Sequence, residues 1–284
     1  LVEMLCAPVN PADLLMVQGR YVQQPRQPAV MGAEGVGRVL LAGDGVTRIA
    51  PGDLVLPLSR GNWATRRVVD ERDMIFVPAG LTTDQAARLR INPATAIRLL
   101  ALGRLSAGDW IVQNAAHSSV GRLVAAAATA RGVHVVNVSR MPDPYGDEIA
   151  DGRGLVRGVA TRTGGAPVVL AFDAVAGTAT GRLAACLSGG GMVVVYGHLS
   201  GRPCSIPSSQ LTRGGISVRG FSLRLAERGE TPEALEALYE SLAPLLCAVD
   251  EPIAGRFALA DWKDALLLAS DPARRGRVIF DRMM

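Results

Sequence analysis

Trp110-Ile-Val-Gln-Asn-Ala-Ala-His-Ser-Ser-Val-Gly121 is the stretch on which the fold turns. Trp110–Gln113 has the length and β-rich content of a buried strand. Small and polar residues follow, and Val120–Arg131 then takes up the helical period and closes at Gly132. A strand, a short loop and a helix start make a corner where backbone can approach a phosphate and free helix N–H groups can bind it. Of the glycine signature G-x-G-x-x-G only Gly121 survives. Ala115, Ala116, Ser118 and Ser119 supply small size instead, and the serines add hydroxyl donors. Taken alone, the corner fits nucleotide binding and a plain strand–loop–helix junction equally well.

The surrounding elements weigh on that choice. Val133–Val138, Val168–Phe172 and Met192–Tyr196 read as further buried strands, and their alternation with helices predicts a parallel, doubly wound sheet. Residues 1–78 read as a small, irregular β-barrel, with runs such as Gly37–Leu41 and Leu54–Leu58 between turns at Val9-Asn-Pro, Gly43-Asp-Gly and Pro51-Gly-Asp. Asp84–Arg90 and Ala94–Leu102 have helical spacing, as does Pro232–Leu246. Phe257–Ala269 and Gly276–Phe280 read as a last helix and strand that rejoin the first domain. The expected fold class is therefore α/β, with one domain over 1–95 and 250–284 and a second over 96–249. Between Arg140 and Pro167 there are too few residues for a helix, a strand and another helix, and they include Met141-Pro-Asp-Pro. Either the sheet is trimmed or a loop is missing from the sequence, and the second reading is preferred. The chain opens at Leu1 in mid-strand, which leaves open a segment ahead of it, targeting or otherwise.

Composition excludes several classes. The 284 residues are 49% apolar and 20% charged, ordinary for a globular protein rather than a disordered one. No apolar run approaches the roughly 18 residues of a membrane span. The net charge is +4, but the arginines are scattered and form no stripe with interleaved aromatics, so no nucleic-acid partner is expected. Cys6, Cys186, Cys204 and Cys247 contain no C-x-x-C, which predicts reduced thiols and a cytoplasmic protein.

Ser139-Arg140 falls where an NAD site carries a carboxylate for the ribose 2′-hydroxyl, about 20 residues beyond the loop. A hydroxyl and a guanidinium suit a 2′-phosphate, so NADPH is the expected cofactor. The competing reading is a solvated loop arginine.

A wider resemblance runs over nearly the whole chain. It rests on Asn10-Pro-Ala-Asp13, Gln18-Gly-Arg-Tyr21, Gly32-Ala-Glu-Gly-Val-Gly37, Pro51-Gly-Asp53, Gly61-Asn-Trp-Ala-Thr65, Asn92-Pro-Ala-Thr-Ala96, Gln113-Asn-Ala115, Tyr196-Gly197 and Gly220-Phe221. In these motifs the chain resembles the zinc-free branch of the medium-chain dehydrogenase/reductase superfamily. Within it, Trp63, Asn92-Pro93 and Gln113-Asn114 point to trans-2-enoyl-thioester reductases of mitochondrial type. The resemblance implies a GroES-like β-barrel catalytic domain beside a Rossmann cofactor domain. It implies NADPH-dependent reduction of enoyl groups on acyl carrier protein or coenzyme A, in fatty acid metabolism, by a homodimer paired near Ile216–Leu223.

It also implies roles for residues. Zinc members carry histidine at Ala33 and cysteine near Asn10, and neither residue present here binds zinc. Tyr21 would be the catalytic acid or carbonyl-orienting donor, set against the reading of a half-buried loop tyrosine. Trp63 would line the acyl pocket or be a core aromatic. Asn10 would orient substrate or cofactor ribose, or only shape the turn before Pro11. Glu34, between glycines, reads as a buried structural carboxylate. Ser118, Ser119, Val120 and Gly121 would hold the pyrophosphate, with Asn114 as an adjunct. Ser139 and Arg140 would hold the 2′-phosphate; Thr95 and Tyr196-Gly197 would lie at the nicotinamide. Ser119, His198 and Ser222 depart from glycine, glycine and tryptophan in the family, which leaves acyl length and substrate class open. Two other readings stand: a zinc-free quinone or enone reductase, and a catalytically silent NADPH-binding sensor or scaffold.

Overall fold

The structure is a computed structural model and describes residues 1–21, 24–142, 146–249 and 251–282. The chain divides into two compact units, Leu1–Ile91 with Gly229–Met284, and Asn92–Arg228. The first unit begins with β1 (Val2–Pro8), α1 (Pro11–Val17), β2 (Val36–Val39), β3 (Leu54–Pro57), β4 (Arg66–Arg67), β5 (Met74–Phe76) and α2 (Thr83–Ala87). Helix α3 (Ile91–Ala101) leads into the second unit. There follow β6 (Trp110–Gln113), α4 (Ser119–Thr129), β7 (His134–Ser139), β8 (Ile149–Ala150), α5 (Leu155–Thr163) and β9 (Val168–Asp173). The second unit ends with α6 (Thr178–Ala184), β10 (Met192–Val195), α7 (Ser208–Thr212), β11 (Ser217–Gly220) and α8 (Leu223–Ala226). The chain returns to the first unit through α9 (Pro232–Ala248), β12 (Ile253–Ala258), α10 (Trp262–Ser270) and β13 (Arg277–Arg282). No helix among the described residues is long and apolar enough to cross a membrane.

In the second unit all strand pairs are parallel, in the order β11-β10-β9-β6-β7-β8. Read from β8, this is the dinucleotide-fold order 3-2-1-4-5-6. Its strands are near-continuous apolar runs because helices cover both faces. Val112, Val136, Val168, Ala171 and Val193 pack with Leu155, Val159 and Leu183 from α5 and α6. The Arg140–Pro167 region holds the third strand after all, as the two residues of β8, which pair with Val138 and Ser139. Among the described residues no helix joins β7 to β8, and part of Met141-Pro-Asp-Pro lies outside them.

The first unit is a mainly antiparallel sheet in the order β12-β13-β1-β2-β3-β5, with β4 also on β1. Alternate residues of β1 (Val2, Met4 and Cys6) turn inward. Val2 and Met4 join Val39, Val55, Met74 and Phe280 in a core that α10 covers with Ala265 and Ala269.

Three elements differ from the sequence reading. Asn10-Pro11 starts α1 rather than a turn; asparagine before proline is as good a helix start as a loop. Phe257 lies in β12, which ends at Ala258, and the last helix begins only at Trp262. Helix α9 belongs to the first unit, so the division falls at Gly229 rather than at 249/250. It buries Leu235, Tyr239, Leu242 and Leu246 there, and Glu236 accepts bonds from Arg48 Nη1 (2.5 Å) and the Phe76 N–H (3.1 Å).

A buried polar network fixes the entrance to α1. Glu34 is wholly buried, and its carboxylate accepts from Asn10 Nδ2 at 3.0 Å and from the Ile91 N–H at 2.8 Å. Arg277 of β13 donates to Asn10 Oδ1 at 2.7 Å and lies 3.8 Å from Glu34. The Asn10 N–H in turn donates to Asp13 Oδ2 at 3.0 Å. Asp13 has no exposed side-chain surface, and burial pushes its carboxyl up to about 6. The Asn10 N–H and Arg60 oppose that rise. The folded state therefore holds a proton that the unfolded chain has released, and stability falls as pH rises from about 4 to about 6. Asp13→Asn removes this dependence. Relative to wild type, its unfolding free energy is expected to rise by about 3 kcal/mol across that window and to level off above it. Urea unfolding at pH 4.5 to 8 measures this; a difference that does not change with pH would refute it.

Candidate functional site

The loop after β6 is built on backbone contact. Gly121 is buried in the first turn of α4, and a Cβ there would lie 2.7 Å from the Ala115 carbonyl oxygen and 2.8 Å from that of Ala116. Glycine is thus required by the loop itself, beyond the helix–sheet packing that the sequence suggests. Ala115 has a φ of 52°, the left-handed region that an L residue adopts at some cost. Ser118 is the N-cap of α4, and its hydroxyl accepts from the Gly121 N–H at 3.1 Å. A helix leaves its first four N–H groups without intrahelical partners. Ser118 takes that of Gly121, and the Ala115 carbonyl takes that of Ser118 at 2.9 Å; N–H groups at a helix start are the kind of donor an anionic oxygen accepts from. Ser119 and Val120, both half-buried, form the first turn itself. His117 is exposed and pairs through Nε2 with Glu148 at 2.8 Å.

Beneath the loop lies a buried network that the sequence reading missed. Gln113 Nε2 donates to the Gly121 carbonyl (2.7 Å) and to Asn137 Oδ1 (2.8 Å). Asn114 bridges the diverging ends of β6 and β9. Its Nδ2 donates to Asp173 Oδ1 at 2.6 Å, and its Oδ1 accepts from the Ala174 N–H at 2.8 Å. Asp173 also accepts from the N–H groups of Val175 and Ala176 and, at 2.6 Å, from the Thr180 hydroxyl. This is the point where strand order reverses, the usual ligand crevice of such sheets. Asn114 is therefore an architectural residue, 2% exposed, rather than an open donor. The available signal was an aspartate closing the apolar run Val168–Phe172.

Tyr196 and Gly197 follow β10. Gly197 touches the backbone of Ala174, whose carbonyl oxygen would be 2.5 Å from an added Cβ. The Tyr196 hydroxyl is buried, with no hydrogen-bond partner at bonding distance among the described residues, and burial makes it harder to ionise while nearby Ser118 opposes that effect. Tyr196 therefore reaches the phosphate-type loop itself, nearer the start of α4 than the sequence reading had it. At the end of β7, Ser139 is 7% exposed and accepts from the Met141 N–H at 3.2 Å, and Arg140 is exposed. The neighbouring carboxylate, Asp151, is held by Arg182 through bonds of 2.6 and 2.7 Å, so its charge is neutralised. Thr95 is buried on α3.

In the first unit, Tyr21 is half-buried in the loop after α1, its N–H bonded to the Leu15 carbonyl at 3.1 Å. The Arg60 guanidinium lies over its ring, 5.1 Å from the centroid. Trp63 is 8% exposed, donates from Nε1 to the Pro8 carbonyl at 3.3 Å and meets Phe280 edge-on at 5.1 Å. That is the core-aromatic alternative. Asn10 is 2% exposed, with its side-chain oxygen taken by Arg277 and its amide donating to Glu34, so its geometry is that of a scaffold residue. Among the described residues no group of three or more His, Cys, Asp or Glu side chains could hold a metal ion. Ala33, where zinc members would have a ligand, is a buried methyl.

The GroES-like domain of alcohol dehydrogenases matches residues 1–79. The mitochondrial enoyl-[acyl-carrier-protein] reductase of Bos taurus is 34% identical over 95% of this chain and 78% of its own length. The NADPH complex of Escherichia coli quinone oxidoreductase superposes with a TM-score of 0.85 at 22% identity, covering 99% of this chain and 90% of that one. The complex of Etr1p, a 2-enoyl thioester reductase from Candida tropicalis, with NADP and crotonyl-CoA gives 0.84 at 23% identity, with 99% and 90% covered. The expected cytoplasmic location is overturned, because the curated relatives are named as mitochondrial proteins. Four free cysteines fit any reducing compartment and never discriminated between them. The identity to the bovine reductase reflects shared descent as well as a shared fold, and the chain is an oxidoreductase belonging to the enoyl-reductase branch of the medium-chain dehydrogenase/reductase superfamily.

Proposed function

We propose that the protein reduces the C=C bond of trans-2-enoyl thioesters of acyl carrier protein or coenzyme A, using NADPH and no zinc. The corner at 114–121 carries the reading. Its glycine is demanded by two carbonyl oxygens, its helix start is capped by Ser118, and a buried tyrosine hydroxyl lies beside it. These features fit a pyrophosphate, so Ser118, Ser119, Val120, Gly121 and Tyr196 would hold the cofactor's phosphates. Ser139 and Arg140 would hold a 2′-phosphate, supported by the neutralised state of Asp151, which spares that phosphate a bare carboxylate. Thr95 and Gly197 would border the nicotinamide. When bound, NADPH supplies a hydride.

The chain's own part is to hold the thioester and manage its proton. As Cβ is reduced, negative charge grows on the thioester oxygen and a proton must reach Cα. Tyr21 is the donor this reading assigns, first as a hydrogen bond to that oxygen and then as the acid. Trp63 and Asn10 act one step back by fixing the barrel around it. Quinone or enone reduction is the second reading, favoured by Ser222 where enoyl reductases carry tryptophan. We further propose a homodimer through β11, a sheet edge exposed along Ser217–Gly220.

Three measurements test these assignments. With crotonyl-CoA, Tyr21→Phe is expected to lower kcat/KM by about a hundredfold or more; quinone turnover alone, unchanged in the variant, would favour the second reading. Arg140→Ala is expected to weaken NADPH binding about tenfold and leave NADH binding unchanged, read by cofactor fluorescence titration. Equal losses for both cofactors would remove Arg140 from the site. Light scattering at micromolar concentration is expected to give twice the chain mass, and a monomer would refute the dimer.

A further inference from the structure

Arg60 is a residue to which the sequence reading gave no role. It stands in a segment with little freedom. Arg67 donates to the Ser59 carbonyl (3.3 Å), to Ser59 Oγ (2.9 Å) and to Asn62 Oδ1 (2.7 Å). Wholly buried Asn62 donates to the carbonyls of Gly32 (3.2 Å) and Ser59 (3.0 Å). From this clamped loop the Arg60 side chain reaches Asp13, with Nη1 3.4 Å from Oδ1, and covers the face of Tyr21. The Asp13 end of the pair is wholly buried and the Arg60 end is 37% exposed, so the anion cannot turn to water and the cation is held toward it. A planar guanidinium can pair with a carboxylate through its edge while its face stacks on a ring.

We infer that Arg60, anchored by Asp13, is the positioning residue for Tyr21: it fixes the orientation of the phenol ring and sets a positive charge at its face. The inference rests on the proposed role of Tyr21. A cation over the ring is attracted to its π face and so holds the ring plane, and with it the hydroxyl, in one orientation. The charged and polar groups facing Asp13 are the Asn10 N–H from the start of α1, Arg60, Glu34 before β2 and Arg277 of β13. Because burial raises the Asp13 carboxyl to about 6, the anchor is charged at neutral pH and lost below that value.

The test is a double-mutant cycle on crotonyl-CoA reduction with wild type, Arg60→Met, Tyr21→Phe and the double variant, with Arg60→Lys and Asp13→Asn beside them. Thermal unfolding identifies any variant that fails to fold, and Arg60→Lys then carries the comparison. Arg60→Met is expected to lower kcat about fivefold, the scale of one cation–π contact, with KM for NADPH unchanged. Arg60→Lys, which keeps charge but not the planar fork, is expected to recover part of the loss. In the Tyr21→Phe background Arg60→Met should cost nothing more. Wild-type kcat should fall below pH 6 along a limb that Asp13→Asn lacks. Independent, multiplying effects of Arg60→Met and Tyr21→Phe would overturn the inference while leaving Tyr21 its role. Full activity of Tyr21→Phe would overturn the role of Tyr21 and this inference with it.

Discussion

The first unit is organised around one wholly buried carboxylate, Glu34. Taking an ionised carboxylate out of water costs several kcal/mol, which only well-placed partners offset. Its partners come from widely separated parts of the chain: Asn10 ahead of α1, the Ile91 N–H where α3 begins, and Arg277 in β13. The strength of each bond matters less than the requirement that all be present, since an uncompensated charge in that place would cost about 3–5 kcal/mol. Satisfying Glu34 fixes Asn10, and Asn10 fixes the start of α1 through Asp13. Asp13 then reaches Arg60, and Arg60 reaches Tyr21. The loop tyrosine is thus tied, link by link, to a wholly buried carboxylate of its unit.

The second unit solves a similar problem with a different chemistry. Asp173 is equally buried, but the hydrogen bonds its carboxylate accepts come from an amide, two backbone N–H groups and the hydroxyl of Thr180. Neutral donors arranged around a carboxylate give direction rather than net charge, which suits a position where two loops must leave in opposite senses. Asn114 serves both sides of the divergence at once, donating to Asp173 and accepting from Ala174.

Much of this was legible in the sequence, for identifiable reasons. The strand at Trp110–Gln113 and the long helix after it stand out because the period switches sharply at a run of small residues. The barrel reads through its glycine and proline turns, and Glu34 through its position between glycines. What escaped was short or doubly determined. Strand β8 has two residues, too few for any period. Helix α1 opens at Asn10-Pro11, which suits a turn as well as a helix start. Phe257 lies in a strand that runs almost directly into a helix, so one apolar pattern hides the change. In the sites, candidate residues for substrate and cofactor could be named by resemblance, but Asp13, Arg60, Asp173 and Thr180 make their contacts with other side chains. Such partners become visible only when the fold brings distant positions together. Asn10 and Asn114 show the converse: polar residues in conspicuous motifs whose bonding capacity is spent inside the protein.

The order of strands in the first sheet has a consequence for how the chain reaches its native state. Strand β1 lies between β2 and β13, pairing Ala7 with Phe280, so the sheet cannot close until the last strand has been made. The second unit is one uninterrupted segment, Asn92–Arg228, and its parallel sheet uses only its own strands. During synthesis the interior segment can condense first, as domains generally fold as units. Condensing it shortens the effective loop between β5 and β12, which lowers the entropy lost when the outer sheet closes. The early strands meanwhile wait with β1 covered by β4 at Val2 and Glu3 but open at Ala7 and Pro8, and unpaired strand edges draw in neighbouring chains. Arg277, which brings the guanidinium for Glu34, arrives on the same late strand that ends this exposure, so charge compensation and sheet closure are a single event.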